Sequence, residues 1–520
     1  MLPRDCTWSP TDSGVVPGRR LALAFGALAL LFGAPQAPLA AQAVPLDRLD
    51  DYVTAAMDEW QVPGLALAVV HGDRVVYAKG FGVRDVTGAD PVDEHTLFAV
   101  GSTSKAFTAT ALGMLVDEGK VGWDDPVVDH LPDFRMYDPW VTRELTIRDL
   151  LTHRSGLARG DAVWILWPHD RAEVMRRIRY LEPTRSLRSA WQYQNLMFLT
   201  AGEVVQRASG RTWDDFVAER IFSPLGMSRS VTSVSALDGL DNVASPHVSV
   251  DGRSVVVEHK NIDNVGPAGS IYSSVAQMTE WIRLHLRNGR YGDVPLVSDS
   301  VMEEMHAPQM VIQPDAPENS LHAKNAYGTF NTYGLAWWVM DYRGRTIVDH
   351  GGGIDGMRAH VALMPEMDVG MVALSNARPN NLIAALMYRV FDHYLGGEMV
   401  DWSAEMLAEQ EAAAQDQAEA RAELEASRMM NTTPALPLDA YVGRYESRYY
   451  GAVDVAMDGE GLTWTFGGKT GGRLGHWHHE VFRMIPDSPA RAEMFGTFRV
   501  APDATVAGLE IGGLGSFPRS

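Results

Sequence analysis

The stretch Gly101-Ser102-Thr103-Ser104-Lys105 opens a long apolar segment of the chain. Its pattern predicts a helix from Ser102 to about Glu118, on which Ser102 and Lys105 share one face, one turn apart. A serine hydroxyl becomes a good nucleophile when a base takes its proton. Burial lowers the pKa of a lysine because desolvation disfavours the charged ammonium. The stretch therefore predicts a serine nucleophile beside a neutral lysine, at a helix start whose N–H groups favour an anion.

Two later stretches carry polar residues that would complete such a site. Alone, Ser-x-x-Lys is equally typical of a helix cap followed by a surface lysine. However, Trp191-Gln192-Tyr193-Gln194-Asn195 precedes a predicted helix, and a Tyr-x-Asn at a turn can project a phenol and an amide into one cleft. A phenolate near a cationic lysine is stabilised, so Tyr193 could act as base and then as acid. Asp349-His350-Gly351-Gly352-Gly353 ends a predicted strand, where an N–H could join that of Ser102 in an oxyanion hole.

Together, the three elements resemble the active-site set of serine β-lactamases and penicillin-binding proteins. The forms Gly-Ser-x-Ser-Lys, Tyr-x-Asn and His-Gly-Gly are most similar to the class C-like branch, which includes D-aminopeptidases, DD-peptidases and carboxylesterases. The resemblance covers about residues 46–395. Three further runs fit it, namely Leu150-Leu151-Thr152-His153-Arg154-Ser155-Gly156-Leu157, Pro267-Ala268-Gly269-Ser270-Ile271-Tyr272-Ser273 and Tyr333-Gly334-Leu335-Ala336-Trp337.

The resemblance implies a role for each matching residue. Ser102 is the acylated nucleophile, Lys105 its activating partner and Tyr193 the general base and acid. The implied substrate-binding and oxyanion residues are Asn195, for the substrate amide, and His350, Gly351, Gly352 and Gly353. His350 takes the place of the family's usual lysine, and Gly353 supplies the second oxyanion N–H. Because a neutral imidazole orients a carboxylate less strongly than an ammonium does, His350 favours a peptidase or esterase over a dedicated β-lactamase.

The function that the resemblance implies is a serine hydrolase acting through an acyl-enzyme on an amide or ester, of the peptidase, D-aminopeptidase or carboxylesterase type. Two alternatives stay open: a true β-lactamase, and a non-catalytic sensor of cell-wall peptides. We expect a small-molecule or peptide substrate, no cofactor and no metal. A net charge of −21 argues against a nucleic-acid partner, which would need a basic face. A homo-oligomer is left open.

Other motifs in the chain compete with these assignments. Lys469-Thr470-Gly471 spells the family's more familiar third motif, but a hairpin partner and a closing helix follow His350 and not Lys469. His476 and His478 would face one side of a strand and could bind a metal, although no further ligand is obvious nearby. His153 and Ser155 could form a Ser–His pair, but a structural turn is the favoured interpretation for His153.

The fold class predicted for the chain is α/β, with an antiparallel sheet flanked by helices and a helical insert, followed by a small all-β, barrel-like domain. An early strand pair and a late strand set flank the insert. The main predicted elements are helices at 46–60, 146–151, 195–207 and 381–394, and strands at 64–70, 333–340, 346–350, 359–364 and 369–375.

The predicted domains are a signal peptide at 1–43, a catalytic domain at 44–400, a helical linker at 401–434 and a lipocalin-like all-β domain at 435–520. The three catalytic elements all precede residue 360, so we expect the catalytic set to be complete without the C-terminal domain.

The N-terminus has the features of a secretory signal. Arg19-Arg20 precede an apolar run from Leu21 to Phe32, and Ala41-Gln42-Ala43 follows as a cleavage site. We therefore predict a periplasmic or secreted protein with no stable membrane span after cleavage, because the run is short for a bilayer. An uncleaved anchor is the alternative. The only cysteine, Cys6, lies before this run, which excludes disulfides and cysteine nucleophiles from the mature chain.

Overall fold

A computed structural model describes residues 46, 48–313, 328–354, 356–378, 380–396, 399–488 and 491–520. The predicted signal peptide at 1–43 lies outside these residues. None of the helices in the described ranges is long and apolar enough to cross a membrane.

Strands from both ends of the catalytic region, and then from the C-terminal region, make up most of the β-structure. In chain order the strands are β1 (Gly64–His71), β2 (Arg74–Gly82), β3 (Phe98–Ala99), β4 (His247–Val250), β5 (Arg253–Val256), β6 (Tyr272–Ser273), β7 (Arg290–Tyr291), β8 (Val294–Pro295), β9 (Met310–Val311), β10 (Asn331–Tyr333), β11 (Trp338–Tyr342), β12 (Arg345–Ile354), β13 (Met357–Met364), β14 (Val369–Ser375), β15 (Ala377–Arg378), β16 (Gly443–Ser447), β17 (Gly451–Asp458), β18 (Gly461–Phe466), β19 (Thr470–His478), β20 (Val481–Pro486), β21 (Met494–Val500), β22 (Val506–Ile511) and β23 (Gly515–Pro518).

Helices fill the middle of the chain and flank the first sheet. The α-helices are α1 (Leu49–Trp60), α2 (Ser104–Asp117), α3 (Val127–His130), α4 (Pro139–Glu144), α5 (Ile147–Leu151), α6 (Ala162–Ile165), α7 (Arg171–Arg177), α8 (Asn195–Ser209), α9 (Trp213–Val217), α10 (Val275–Leu286), α11 (Asp299–His306), α12 (Leu382–Leu395) and α13 (Trp402–Ala426). Short 3-10 helices lie at Gly101–Thr103, Ile178–Tyr180, Val234–Leu237, Asp263–Ala268, Pro365–Met367 and Leu438–Tyr441, and a π-helical turn lies at Ala218–Phe222.

The first sheet is antiparallel, with strand order β2-β1-β14-β13-β12-β11-β10-β9. Strand β1 is buried on both faces. Ala66 and Ala68 belong to the same buried cluster as Phe107 of α2, and the intervening Leu65 and Leu67 are fully buried on the opposite face. This double burial explains why β1 has a continuous apolar sequence instead of an alternating one.

The predicted fold class is confirmed in the architecture, with corrections at element ends. Ser102 lies in the 3-10 turn Gly101–Thr103 and precedes α2, whereas the apolar pattern predicted that the helix would begin at Ser102. The predicted strand 333–340 is broken, because Ala336 has a φ of 70° and the Gly334 N–H donates to the Trp337 carbonyl at 2.7 Å. This tight turn separates β10 from β11.

The C-terminal region is a nearly closed eight-stranded antiparallel barrel. Its strands follow one another in sequence order from β16 to β23, and a bridge between Tyr445 and Arg519 joins the first strand to the last. Helix α13 precedes the barrel and is exposed over residues 411–426. The predicted limits of the catalytic domain, linker and barrel stay predictions.

Candidate active site

The turn that carries Ser102 lies directly against β12. Gly101 has a φ of 54°, and a Cβ on it would lie 2.6 Å from the backbone nitrogen of Gly353. Likewise, a Cβ on Gly352 would lie 1.9 Å from the Val100 carbonyl oxygen and 3.2 Å from the Ser102 nitrogen. Only glycine fits at both positions, since real side chains do not approach backbone so closely. The backbone nitrogens of Ser102 and Gly353 are thereby held on neighbouring segments beside the serine.

Lys105 is fully buried one turn after Ser102. Its Nζ lies 3.1 Å from Ser102 Oγ, 2.7 Å from Asn195 Oδ1 and 2.7 Å from the carbonyl oxygen of Ala268. Burial holds the pKa of Lys105 well below its ordinary value, and the nearby charge of Asp161 opposes that shift. The spacing in Ser-x-x-Lys therefore brings an amine into contact with the serine hydroxyl, as predicted.

Asp161 fixes the orientation of the Asn195 amide, and no sequence motif indicated this residue. Asn195 Nδ2 donates to both carboxylate oxygens of Asp161, at 3.0 and 3.1 Å, which leaves Oδ1 facing Lys105. Arg159 Nε and Trp164 Nε1 also donate to this carboxylate, each at 2.9 Å. Both ends of the Asn195 amide are thus bonded to protein groups, and its role toward a substrate stays a prediction.

Tyr193 is buried between aromatic and cationic neighbours. Its ring centroid lies 4.2 Å from that of His153, 4.9 Å from Lys105 Nζ and 5.0 Å from the guanidinium carbon of Arg159. Tyr193 and Ser102 line the same cavity of about 180 Å³. The second predicted element therefore reaches the same cleft as the first.

His153 supports this turn from beneath. The Gln194 N–H donates to His153 Nδ1 at 3.0 Å, and Gln194 caps α8 by accepting from the Leu196 N–H. The contact is with backbone, which agrees with the structural turn favoured for His153 over a Ser–His pair.

His350 reaches the cleft as a neutral imidazole. Nδ1 donates to the Gly351 carbonyl at 2.6 Å, so Nε2 is the acceptor for the Tyr333 hydroxyl at 2.9 Å. Burial, together with the nearby Lys105, lowers the pKa of His350 to about 3. Burial also raises the pKa of Tyr333 well above its ordinary value, which keeps its proton available for this bond. The structure thus explains how a histidine fits here without carrying charge.

Two cavities meet at Ser102. One, of about 250 Å³, is lined by residues of the loop after α5, by α8 and by the 263–268 helix, and it includes Arg159, Asp161 and Lys260. The other, of about 180 Å³, is lined by the glycines of β12 together with Tyr193, His350 and Arg358. Ser102, Arg159, Gly353 and Arg378 line both. The cleft is therefore rich in cations, which no sequence motif indicated.

The competing motifs lie elsewhere. Lys469 is exposed in the turn between β18 and β19 of the barrel and lines neither cavity at Ser102. His476 Nε2 bonds to the carbonyl of His479 at 3.0 Å, and His478 Nδ1 accepts from the Met429 N–H at 3.3 Å. In the ranges that the structure describes, no group of three or more metal-ligand side chains could hold an ion.

Comparison with known proteins gives the same family that the sequence motifs resemble. The family model described as "Beta-lactamase" matches residues 49–391, and a model described as "Domain of unknown function (DUF3471)" matches residues 427–514. A relative from Aspergillus campestris (strain IBT 28561), named "Unguisins hydrolase ungD'", is 31% identical over 69% of this chain and 68% of its own length.

Two solved structures share the fold. The octameric penicillin-binding protein homologue from Pyrococcus abyssi has a TM-score of 0.61 at 20% identity, over 91% of this chain and 99% of that one. The class C beta-lactamase from Rhodobacter sphaeroides has a TM-score of 0.54 at 21% identity, over 67% of this chain and 99% of that one. With the family model covering most of the chain, we conclude that this protein belongs to the beta-lactamase family and is a serine hydrolase that acts through an acyl-enzyme.

Proposed function

We propose that Ser102 is the nucleophile, that neutral Lys105 activates it, and that the substrate is an amide or ester of the peptidase, D-aminopeptidase or carboxylesterase type. The observation that carries the proposal is the set of three contacts made by Lys105 Nζ. A neutral amine has two N–H donors and one lone pair. Asn195 Oδ1 and the Ala268 carbonyl can only accept, so they take the two donors. The lone pair is left for the Ser102 hydroxyl at 3.1 Å.

In the proposed reaction, Ser102 Oγ forms a bond to the substrate carbonyl carbon while its proton passes to Lys105 Nζ. The carbonyl electron pair moves to oxygen, where the N–H groups of Ser102 and Gly353 stabilise the oxyanion. The intermediate then collapses, and the leaving group departs with a proton supplied through Tyr193. Water repeats the sequence on the acyl-enzyme and releases the acid.

Within this family, the choice of a peptidase or esterase over a β-lactamase is supported by His350. Its Nε2 accepts from Tyr333, so it offers a substrate neither a charge nor that lone pair. The name of the Aspergillus relative, a hydrolase, agrees with turnover rather than passive sensing.

The Ser102→Ala variant tests the proposal. Removal of a nucleophile lowers turnover by about 10⁴-fold or more. We would measure hydrolysis of p-nitrophenyl acetate, D- and L-alanine p-nitroanilides and a chromogenic cephalosporin, with Ser300→Ala on the surface of α11 as the matched control. Turnover of the ester or an anilide that survives in Ser102→Ala would reject the assignment, and exclusive turnover of the cephalosporin would favour the β-lactamase alternative.

The periplasmic or secreted location and a homo-oligomer also remain proposals. N-terminal sequencing of protein from the cell exterior should begin near residue 44 if the signal is cleaved. Sedimentation of that mature protein would give its oligomeric state.

A further inference from the structure

Two arginines outside the three motifs converge on the cleft. They are Arg358, on β13 opposite Gly353, and Arg378, on β15. A Cβ on Gly353 would lie 3.1 Å from Arg358 Nη1 and 3.8 Å from the guanidinium carbon of Arg378. Both guanidiniums therefore lie in one corner of the cleft, beside the strand that faces Ser102.

Within the described residues, no carboxylate lies within ion-pair distance of either arginine. Arg358 donates to neutral acceptors, the Asn380 carbonyl at 3.3 Å and Asn381 Oδ1 at 3.2 Å. Arg378 is exposed to the cleft. The acid that lines the neighbouring cavity, Asp161, is already bonded to Arg159 and Asn195. The pair thus differs from arginines such as Arg154 and Arg283, which form ion pairs with aspartates.

Such a pair is costly in the free protein. Burial and the charge of Arg378 lower the pKa of Arg358 to about 10, so Arg358 still carries a charge at pH 7. Like charges held together repel, and an anion between them would relieve that repulsion. In a chain with a net charge of −21, four cations line the two cavities, namely Arg159, Lys260, Arg358 and Arg378.

We propose that Arg358 and Arg378 form a subsite for a carboxylate of the substrate. The inference rests on the proposed function, since it places this carboxylate beside the carbonyl that Ser102 attacks. Two guanidiniums offer planar forks that match a carboxylate. His350 is neutral and cannot serve as the counter-ion, so the arginines supply the charge that the family's usual lysine would provide.

The experiment compares substrates that differ only in this charge. On the acyl side, p-nitrophenyl hydrogen succinate is compared with p-nitrophenyl butyrate. On the leaving-group side, the benzoyl thioester of mercaptoacetate is compared with that of mercaptoacetamide. Each pair is measured with the full-length protein, Arg358→Gln, Arg378→Gln and, as the matched control, Arg345→Gln at the far end of β12.

For each substrate pair, we compare kcat/KM for the anionic substrate with kcat/KM for the neutral one. In one of the two substrate pairs, this ratio should fall about tenfold or more in both Arg358→Gln and Arg378→Gln, as expected for lost charge-assisted hydrogen bonds. The substrate pair that shows this fall identifies the side of the scissile bond that carries the carboxylate. Arg345→Gln should leave the ratio unchanged. Ratios that stay at the wild-type value in both pairs would overturn the subsite, whereas Ser102 dependence of the neutral substrates would still support the proposed function.

A second inference rests on contacts between the cleft and the barrel. We call residues 159–169 the wall loop. Its first part lines the cavity at Ser102 with Arg159, Asp161 and Trp164. Its last part, with Trp167 and His169, contacts the barrel. One short segment therefore connects the catalytic hydrogen bonds to the C-terminal region.

Trp167 is part of the barrel interior. It is 1% exposed and belongs to the buried cluster of the barrel. Its Nε1 donates to the Ala452 carbonyl at 2.7 Å, and its ring centroid lies 4.3 Å from that of Phe466 and 6.2 Å from that of Phe517. A residue of the catalytic region thus fills space inside the barrel.

Tyr449 makes the reciprocal contact. It precedes β17 and is buried in the main cluster of the catalytic region. Its hydroxyl donates to the Gly160 carbonyl at 2.8 Å, one residue before Asp161. Arg177 Nη1 donates to the Tyr449 carbonyl at 3.1 Å, which holds this barrel segment in place.

We infer that the barrel fixes the wall loop, and that Tyr449 and Trp167 are positioning residues for the Asp161–Asn195–Lys105 chain. Tyr449→Phe removes one hydroxyl from the contact. Tyr445→Phe is the matched control, because the Tyr445 hydroxyl donates to the Tyr441 carbonyl within the barrel at 2.6 Å. Both variants would be assayed on p-nitrophenyl acetate from pH 5 to 10, with thermal unfolding measured alongside.

Tyr449→Phe should lower kcat about three- to tenfold, because small displacements of a catalytic group are costly. It should also move the acidic limb of the pH profile to lower pH, since a displaced Asp161 no longer raises the pKa of Lys105. Tyr445→Phe should keep the wild-type rate and profile even if it melts earlier. The inference is overturned if Tyr449→Phe and Trp167→Phe both retain the wild-type kcat and pH profile.

Discussion

The catalytic region and the barrel differ in the side chains that they bury. In the catalytic region, Lys105, Asn195 and Asp161 form a chain of hydrogen bonds whose members lie far apart in sequence. The barrel interior is filled mainly by aromatic and aliphatic side chains, and Trp167 enters it from the other region. The two regions therefore share Trp167 as a core residue, and the wall loop that carries it also lines the cavity at Ser102.

The largest expected effect distinguishes the lysines of the two regions. Lys105→Met removes the proton acceptor that we propose for Ser102. It should lower kcat on p-nitrophenyl acetate by about 10³-fold or more, the range for loss of a catalytic base together with its hydrogen bonds. Lys469→Met, in the barrel turn, should leave kcat unchanged. Equal losses in the two variants would place the third motif in the barrel and reject the division between the regions.

The next effect concerns the shared core. Trp167→Ala should lower the free energy of unfolding by about 3–5 kcal/mol, the usual cost of truncating a buried tryptophan. Urea unfolding followed by fluorescence measures this change. A Trp167→Ala protein as stable as the wild type would show that the barrel does not depend on the wall loop.

We also expect a chain without the barrel to lose activity, in contrast to the expectation from sequence of a complete catalytic set before residue 360.

The charge of Asp161 can be removed with little change in shape. Asp161→Asn should lower kcat about tenfold through weaker orientation of Asn195, a charge-assisted bond being replaced by a neutral one. Because the carboxylate raises the pKa of Lys105, its removal should move the acidic limb of the kcat profile to lower pH. A limb that stays in place, or moves to higher pH, would contradict the account.

The last effect is on stability at acid pH. The pKa of His350 is lowered to about 3 in the folded protein, against about 6.5 when unfolded. The unfolded chain therefore binds a proton first, so His350 favours the folded state above pH 6.5 and progressively less as the pH falls toward 3. Its contribution is about 1.4 kcal/mol per pH unit in that window. His350→Gln should reduce the pH dependence of urea unfolding between pH 6 and 4, and an unchanged slope would contradict a neutral His350.

Much of the fold, and the first set of candidate site residues, could be predicted from sequence because they depend on local spacing. Ser102 and Lys105 are one helical turn apart, and the glycines of β12 follow one another. The β14 prediction matched Val369–Ser375, because an apolar run bounded by a turn and an Asn defines a strand locally.

The remaining site residues could not be predicted because their meaning arises from long-range packing. Asp161 is ordinary in sequence and important only because α8 brings Asn195 to it. Arg358 and Arg378 meet only because neighbouring elements bring their side chains together at Gly353. Trp167 carries no motif, and its contact with Ala452 spans 285 residues of sequence.

The most direct measurement is the site of covalent labelling. The full-length protein would be treated with a fluorophosphonate, digested and sequenced by mass spectrometry, over the same pH range as the kinetic assays. We predict a single adduct on Ser102, formed at a rate that rises with the deprotonation of Lys105 and is lost in Lys105→Met. An adduct on Ser155 or Ser270, or labelling of Ser102 that is equally fast in Lys105→Met, would contradict the account.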